Sequence, residues 1–224
     1  GGFAAFSVVP AGMVHKMPDT LSTEQGALVE PAAVALHAVR MSKIKAGDTA
    51  AVFGAGPIGL LVVEALRVAG AAQIHVVEPS PERREKALEL GATSAIDPMS
   101  TDPVETIRAA TGGVNVAFEV TGVPRVLPQC IDSTRHEGQT LIVSIWEGDA
   151  AFQPNTAVLK ERQLLGTIAY RNIYPAVMEL MTQGYFSADK LVTKRISIDE
   201  IVDQGFEALV AEKSQVKILV QAPA

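Results

Sequence analysis

The sequence holds a single cysteine, Cys130, among 224 residues. That excludes an internal disulfide and suits a reducing compartment such as the cytoplasm. No uninterrupted apolar run reaches the roughly 18 residues that a bilayer span requires; Glu64 and Arg67 break the longest candidate. Positive charge is in short supply: 19 Lys and Arg face 25 Asp and Glu, for a net charge of −6. The basic stripe of a nucleic-acid binder is therefore not expected. The four histidines, His15, His37, His75 and His136, show no metal-ligand spacing, and Cys130 has no neighbouring ligand. A complete metal site within these residues is not expected. The G-x-S-x-G elbow of an esterase is missing too. The chain starts Gly1-Gly2-Phe3, without methionine or a signal-peptide pattern, and reads as a piece of something longer.

What is present is enough to fill a core. Hydrophobic residues make up 48 % and charged residues 20 %, the balance of a soluble globular chain. Residues 1–20 read as short extended runs, such as Phe6–Val9, broken by Pro10, Gly12 and Pro18. Ser22 caps a helix with Gln25 three positions on. Glu30 precedes Pro31, which predicts a helix break at Glu30 and a restart at Pro31. Glu30 is then a lone carboxylate at a junction inside an apolar run, a costly place for a charge without a partner.

From residue 49 apolar strands alternate with helices. Strands are predicted at Ala50–Phe53, Ile74–Val77, Ser94–Ile96, Val114–Val120, Thr140–Ile145 and Leu164–Ala169. Helices are predicted near 57–69, 81–90, 103–110 and 124–133. Six strands with mostly helical crossovers make an α/β fold with a doubly wound parallel sheet. Helices near 173–183 and 199–211 and a strand Val216–Val220 follow.

Gly54, Gly56 and Gly59 stand in GxGxxG spacing in "AVFGAGPIGLLVVEALRVAG". The spacing alone says little. Here it follows a strand, opens an amphipathic helix with Pro57 and Ile58, and is followed by the acid Glu78 at the end of the next strand. This is the Rossmann pattern: a tight turn at Gly54, close approach of a pyrophosphate at Gly56, and close packing at Gly59. The helix N-terminus supplies free N–H groups. Glu78 suits two ribose hydroxyls and repels a 2′-phosphate, so NAD is expected over NADP. Arg83 is a candidate flank for the adenine or, as a lesser alternative, a partner for the NADP phosphate, with a solvated helix face equally open to it; Arg84 is expected on a solvated helix face. A glycine-rich turn beside an incidental surface acid is the alternative. So is a methyltransferase, another α/β fold with a glycine-rich first loop. Ligands in such sheets sit beyond the carboxyl ends of the strands. That places Thr121, Ser144, Ile145 and Ala169 beside the nicotinamide.

The segments "GALVEPAAVALHAVR", "GAGPIGLL", "FEVTGVP", "LIVSIWEG", "GTIAYRN" and "KLVTKRISIDE…VKILV" together resemble the zinc-dependent medium-chain dehydrogenases. The branch is that of the sorbitol dehydrogenases, and within it the butanediol dehydrogenases. The resemblance implies a Rossmann domain at 33–169, flanked by remnants of a β-rich catalytic lobe at 1–32 and 170–224. It implies zinc faced by Glu30, with the remaining ligands outside this chain. It also implies an NAD-dependent oxidation of a small alcohol or diol, and a homodimer or tetramer formed through segment 140–169. Sorbitol-type members carry an arginine just before the tyrosine of "IAYRN", where this chain has Ala169. That departure favours a short diol or acyloin over a long polyol. No nucleic-acid or membrane partner is implied. An NAD-binding module without turnover is the alternative for the chain as it stands.

Overall fold

A computed structural model describes residues 2–4, 6–212 and 214–222. The chain divides into two compact units, residues 31–171 and residues 1–30 with 172–224.

The larger unit is a six-stranded parallel sheet with helical crossovers. Its elements are β1 (Thr49–Phe53), α2 (Pro57–Val68), β2 (Gln73–Val77), α3 (Pro81–Glu89), β3 (Ser94–Ile96), α4 (Pro103–Thr111), β4 (Val114–Glu119), α5 (Val126–Ser133), β5 (Thr134–Ile142), α6 (Asn155–Val158) and β6 (Gln163–Gly166). Strand order is β3-β2-β1-β4-β5-β6. The order reverses between β1 and β4, which opens a crevice at that point. β1, β2 and β4 are buried along nearly their whole length, as apolar strands covered on both faces must be. Phe53, Val77, Ile96, Ile107, Val114, Ala117 and Cys130 form one core cluster.

The register sets the site. Ile96, Val77, Phe53, Glu119, Ile142 and Gly166 lie in a single row across all six strands. Gly54, Glu78, Val120 and Val143 therefore emerge side by side beyond that row.

α3 and α4 start where the sequence supplies a side-chain cap. Ser80 accepts the Arg83 N–H at 3.4 Å, with Pro81 in the first turn. Asp102 accepts the N–H groups of Val104 and Glu105 at 2.8 and 3.0 Å. Each bond satisfies a donor that the first turn would leave unpaired.

In the smaller unit β7 (Val192–Ser197) pairs in parallel with β8 (Lys217–Gln221). α7 (Tyr174–Thr182) and α8 (Ala188–Leu191) precede them. The helix expected near 199–211 is a 3₁₀ turn (Ile198–Glu200), a π-helix (Ile201–Glu207) and a short α9 (Ala208–Ala211).

Four further expectations change. The break at Glu30 does not occur: α1 runs unbroken from Thr23 to Met41 with Pro31 inside it. The missing N–H of Pro31 costs one bond, while Leu28, Val29, Ala32, Ala33, Leu36 and Val39 are all buried and outweigh it. The Ser22–Gln25 capping box does form, with bonds of 2.8 and 3.2 Å. Residues 6–9 have no strand partner among the described residues, and a 3₁₀ turn, Ala11–Met13, follows them. β5 begins at Thr134 and stops at Ile142, and a register irregularity opposite Val114–Val116 absorbs its polar start. β6 stops at Gly166, and Ala169 lies beyond it with φ +49. Left-handed backbone cannot continue a strand.

Candidate nucleotide site

The loop after β1 is shaped by two glycines. Gly54 has φ +103, and a Cβ there would lie 2.8 Å from Thr121 Cγ2. A Cβ at Gly59 would lie 2.0 Å from the Gly54 carbonyl oxygen. α2 closes onto the loop because Gly59 has no side chain, and the loop packs against the turn after β4 because Gly54 has none. Gly56 differs: nothing lies within 4 Å of the position a Cβ would take. Its outer face is open, at the N-cap of α2 and one residue before Pro57. Ile58 occupies the first turn, half-buried. A helix start, where N–H groups lack intrahelical partners, favours an anion.

Glu78 is buried and faces the loop. Its Oε2 accepts the Ala55 N–H at 2.8 Å, and its Oε1 accepts the Ser80 N–H at 3.0 Å. The acid thus ties the glycine loop to the turn after β2. Each oxygen keeps a further lone pair for a ligand hydroxyl. Beside it lies a cavity of about 330 Å³, lined by Gly54, Glu78, Pro98, Met99, Arg125 and Gln129 among others. That size falls within the roughly 300–1,000 Å³ of small-ligand pockets.

Arg83 is half-buried in the first turn of α3 and is not among the residues lining this cavity. Arg84 is not a solvated face residue. It donates to the carbonyls of Glu78 and Pro79 at 2.8 and 2.7 Å and pairs with Asp97 at 3.5 Å. The carbonyls turned outward after β2 need donors, and Arg84 reaches them.

The ends of β4 and β5 meet through a residue that sequence reasoning passed over. Glu119 is fully buried. It accepts the N–H groups of Thr121 and Gly122 at 2.7 and 3.0 Å, the Thr121 hydroxyl, and the Ser144 hydroxyl. The signal was available: "VNVAFE" is an apolar strand closed by an acid, as is "HVVE", which ends in Glu78. Thr121 is exposed and Ser144 half-buried. Ile145 is 82 % exposed. Ala169 is exposed and carries the positive φ noted above.

Glu30 is exposed on α1. The question of a buried partner for its charge therefore falls away. No group of three or more His, Cys, Asp or Glu able to hold a metal exists among the described residues. Among the described residues no helix is long and apolar enough to cross a membrane.

Comparison with known proteins finds relatives of the same fold. A family model described as zinc-binding dehydrogenase matches residues 57–183. The chain is 61 % identical to the (R,R)-butanediol dehydrogenase of Bacillus subtilis (strain 168) over 223 residues, covering 99 % of this chain and 64 % of that protein. It thus spans less than two thirds of that relative. The crystal structure of 2R,3R-butanediol dehydrogenase from Bacillus subtilis superimposes with a TM-score of 0.91, at 63 % identity, over 93 % of this chain and 60 % of that one. A Sinorhizobium meliloti 1021 protein solved with NADP gives a TM-score of 0.88 at 32 % identity, over 96 % of this chain and 64 % of that one.

Proposed function

We propose a function from the premise that this chain belongs to the zinc-binding, medium-chain dehydrogenases. In our reading it is the cofactor-binding part of an NAD-dependent oxidoreductase that converts a secondary alcohol, a 2,3-butanediol-like diol, to its ketone. The observation that carries the cofactor assignment is the Glu78 carboxylate, bonded to Ala55 N–H inside the glycine loop and bordering the 330 Å³ cavity. A 2′-phosphate would meet that carboxylate and be repelled; ribose hydroxyls would donate to it. The residues fit the dinucleotide: the open face of Gly56 and the start of α2 receive the pyrophosphate, and Glu78 orients the ribose. Thr121, Ser144, Ile145 and Ala169 border the nicotinamide. Bound NAD supplies the hydride acceptor; the chain holds its ring and excludes water from it.

Zinc enters the proposal through the family alone. Of its proposed ligands only Glu30 lies in this chain, and the described residues form no metal cluster. The same observation favours a second reading for the isolated chain, an NAD-binding module without turnover. We assign residues 1–32 and 170–224 to a catalytic lobe and 33–169 to the cofactor domain, in a cytoplasmic protein. The butanediol-oxidising relative and the absence of an arginine at Ala169 support a small diol over a polyol. Self-association through β6 is supported by Ile145, Val158, Leu159 and Ile168, which are 67–82 % exposed near that edge strand.

The test follows reduced nicotinamide by absorbance with NAD or NADP and with (R,R)-2,3-butanediol or sorbitol. The chain alone is expected to bind NAD without turnover. Extended to the length of its relatives and loaded with zinc, it is expected to oxidise the butanediol ahead of sorbitol. Sorbitol ahead of butanediol would overturn the substrate, and NADPH ahead of NADH the cofactor.

A further inference from the structure

Glu119 is a buried carboxylate with four donors and, among the described residues, no ion-pair partner. Oε1 accepts two N–H groups and the Thr121 hydroxyl, and Oε2 accepts the Ser144 hydroxyl. The Thr121 hydroxyl is committed to this role, because its own oxygen accepts the Val123 N–H at 3.0 Å. No lysine or arginine among the described residues forms an ion pair with Glu119. Dipoles disperse its charge but do not cancel it. The field of that charge reaches its surroundings: burial, and then the Glu119 carboxylate, push the Cys130 thiol well up. The two loops it joins also touch each other, since a Cβ at Gly122 would lie 3.1 Å from the Ile145 carbonyl oxygen.

We propose that Glu119 is a positioning residue that locks the Thr121–Gly122 turn to Ser144 and, through its fixed negative charge, favours the oxidised over the reduced cofactor. This rests on the reading of the site as an NAD site, which places both loops at the nicotinamide. The oxidised nicotinamide ring is cationic and the reduced ring is neutral. A buried anion below that end of the crevice stabilises the first and leaves the second nearly unaffected.

Glu119→Gln isolates the charge. The amide keeps the side-chain shape, and its oxygen accepts the same N–H groups. Its NH₂ donates to Ser144, whose hydroxyl turns to accept. Glu119→Asp keeps the charge but shortens the reach. Both variants and the parent are titrated by calorimetry with NAD⁺, NADH and ADP-ribose, which lacks the nicotinamide. Glu119→Gln is expected to weaken NAD⁺ relative to NADH by about tenfold, the scale of one charge pair in a partly desolvated crevice. ADP-ribose affinity stays unchanged, and Glu119→Asp keeps the parental NAD⁺/NADH ratio. An unchanged ratio in Glu119→Gln, or an equal shift in Glu119→Asp, overturns the proposal. A parent chain that binds none of the three ligands overturns the NAD reading itself, a result distinct from any shift in ratio.

Discussion

Gly56 and Gly59 lie three residues apart in one loop, yet the same substitution should break different things. A methyl at Gly59 would sit 2.0 Å from the Gly54 carbonyl oxygen and 2.9 Å from its carbon. The first distance is a full ångström inside the 3.0 Å that Cβ contacts essentially never breach. The obstacle is backbone, so no side chain can swing aside; α2 must lift from the loop. Overpacking of this kind costs about 1–3 kcal/mol, or more when backbone must move. Alanine recovers up to about 1 kcal/mol of helix propensity. We expect Gly59→Ala to lose about 2 kcal/mol net, a fall of about 1 M in urea midpoint for a slope near 2 kcal/mol/M. Gly56→Ala meets nothing within 4 Å and has an ordinary φ of −68. Its stability should change by less than about 1 kcal/mol, the cost of alanine at an N-cap. Its methyl, however, projects where the pyrophosphate approaches, and NAD affinity should fall by more than about tenfold. Urea unfolding and calorimetric titration of both variants separate the two effects. A Gly59→Ala protein as stable as the parent, or a Gly56→Ala protein that binds NAD as tightly, would refute the reasoning.

Other consequences are equally direct. Glu78→Ala removes the acceptor for the Ala55 and Ser80 N–H groups; NAD should bind more weakly and the margin over NADP should shrink, read by parallel titrations. Burial holds the His75 imidazole below its ordinary 6.5, so the unfolded chain takes up a proton first as the pH falls. Stability should be level above about pH 6.5 and decline below it; His75→Gln should flatten that slope in urea midpoints measured from pH 7.5 to 5.5. Asp102→Ala deletes the α4 cap and should cost about 1 kcal/mol, seen as a lower urea midpoint with NAD binding intact.

The parallel sheet was legible because β1, β2 and β4 are apolar runs separated by capped helices. Ser80, Asp102 and the three glycines mark those helices by local chemistry that tertiary contacts did not override. α1 was misjudged at Pro31 because the pre-proline bias is local, whereas the burial of Leu28, Val29, Ala32 and Ala33 is not. Pairing of β7 with β8 joins segments more than twenty residues apart around a π-helix, and no local pattern announces it. Glu119 escaped notice for a similar reason. Its partners Thr121 and Gly122 are local, but Ser144 reaches it only through the register that sets Glu119 opposite Ile142. Arg84 looked like a surface residue because its acceptors are backbone carbonyls, which every sequence has.

If the Gly54–Gly59 loop and Glu78 form an NAD site, calorimetric titration of this chain with NAD and, separately, with NADP shows it. Saturable NAD binding is expected, with NADP binding weaker by at least about tenfold, the cost of a phosphate against the Glu78 carboxylate. NADP binding as tight as NAD, or tighter, would contradict it.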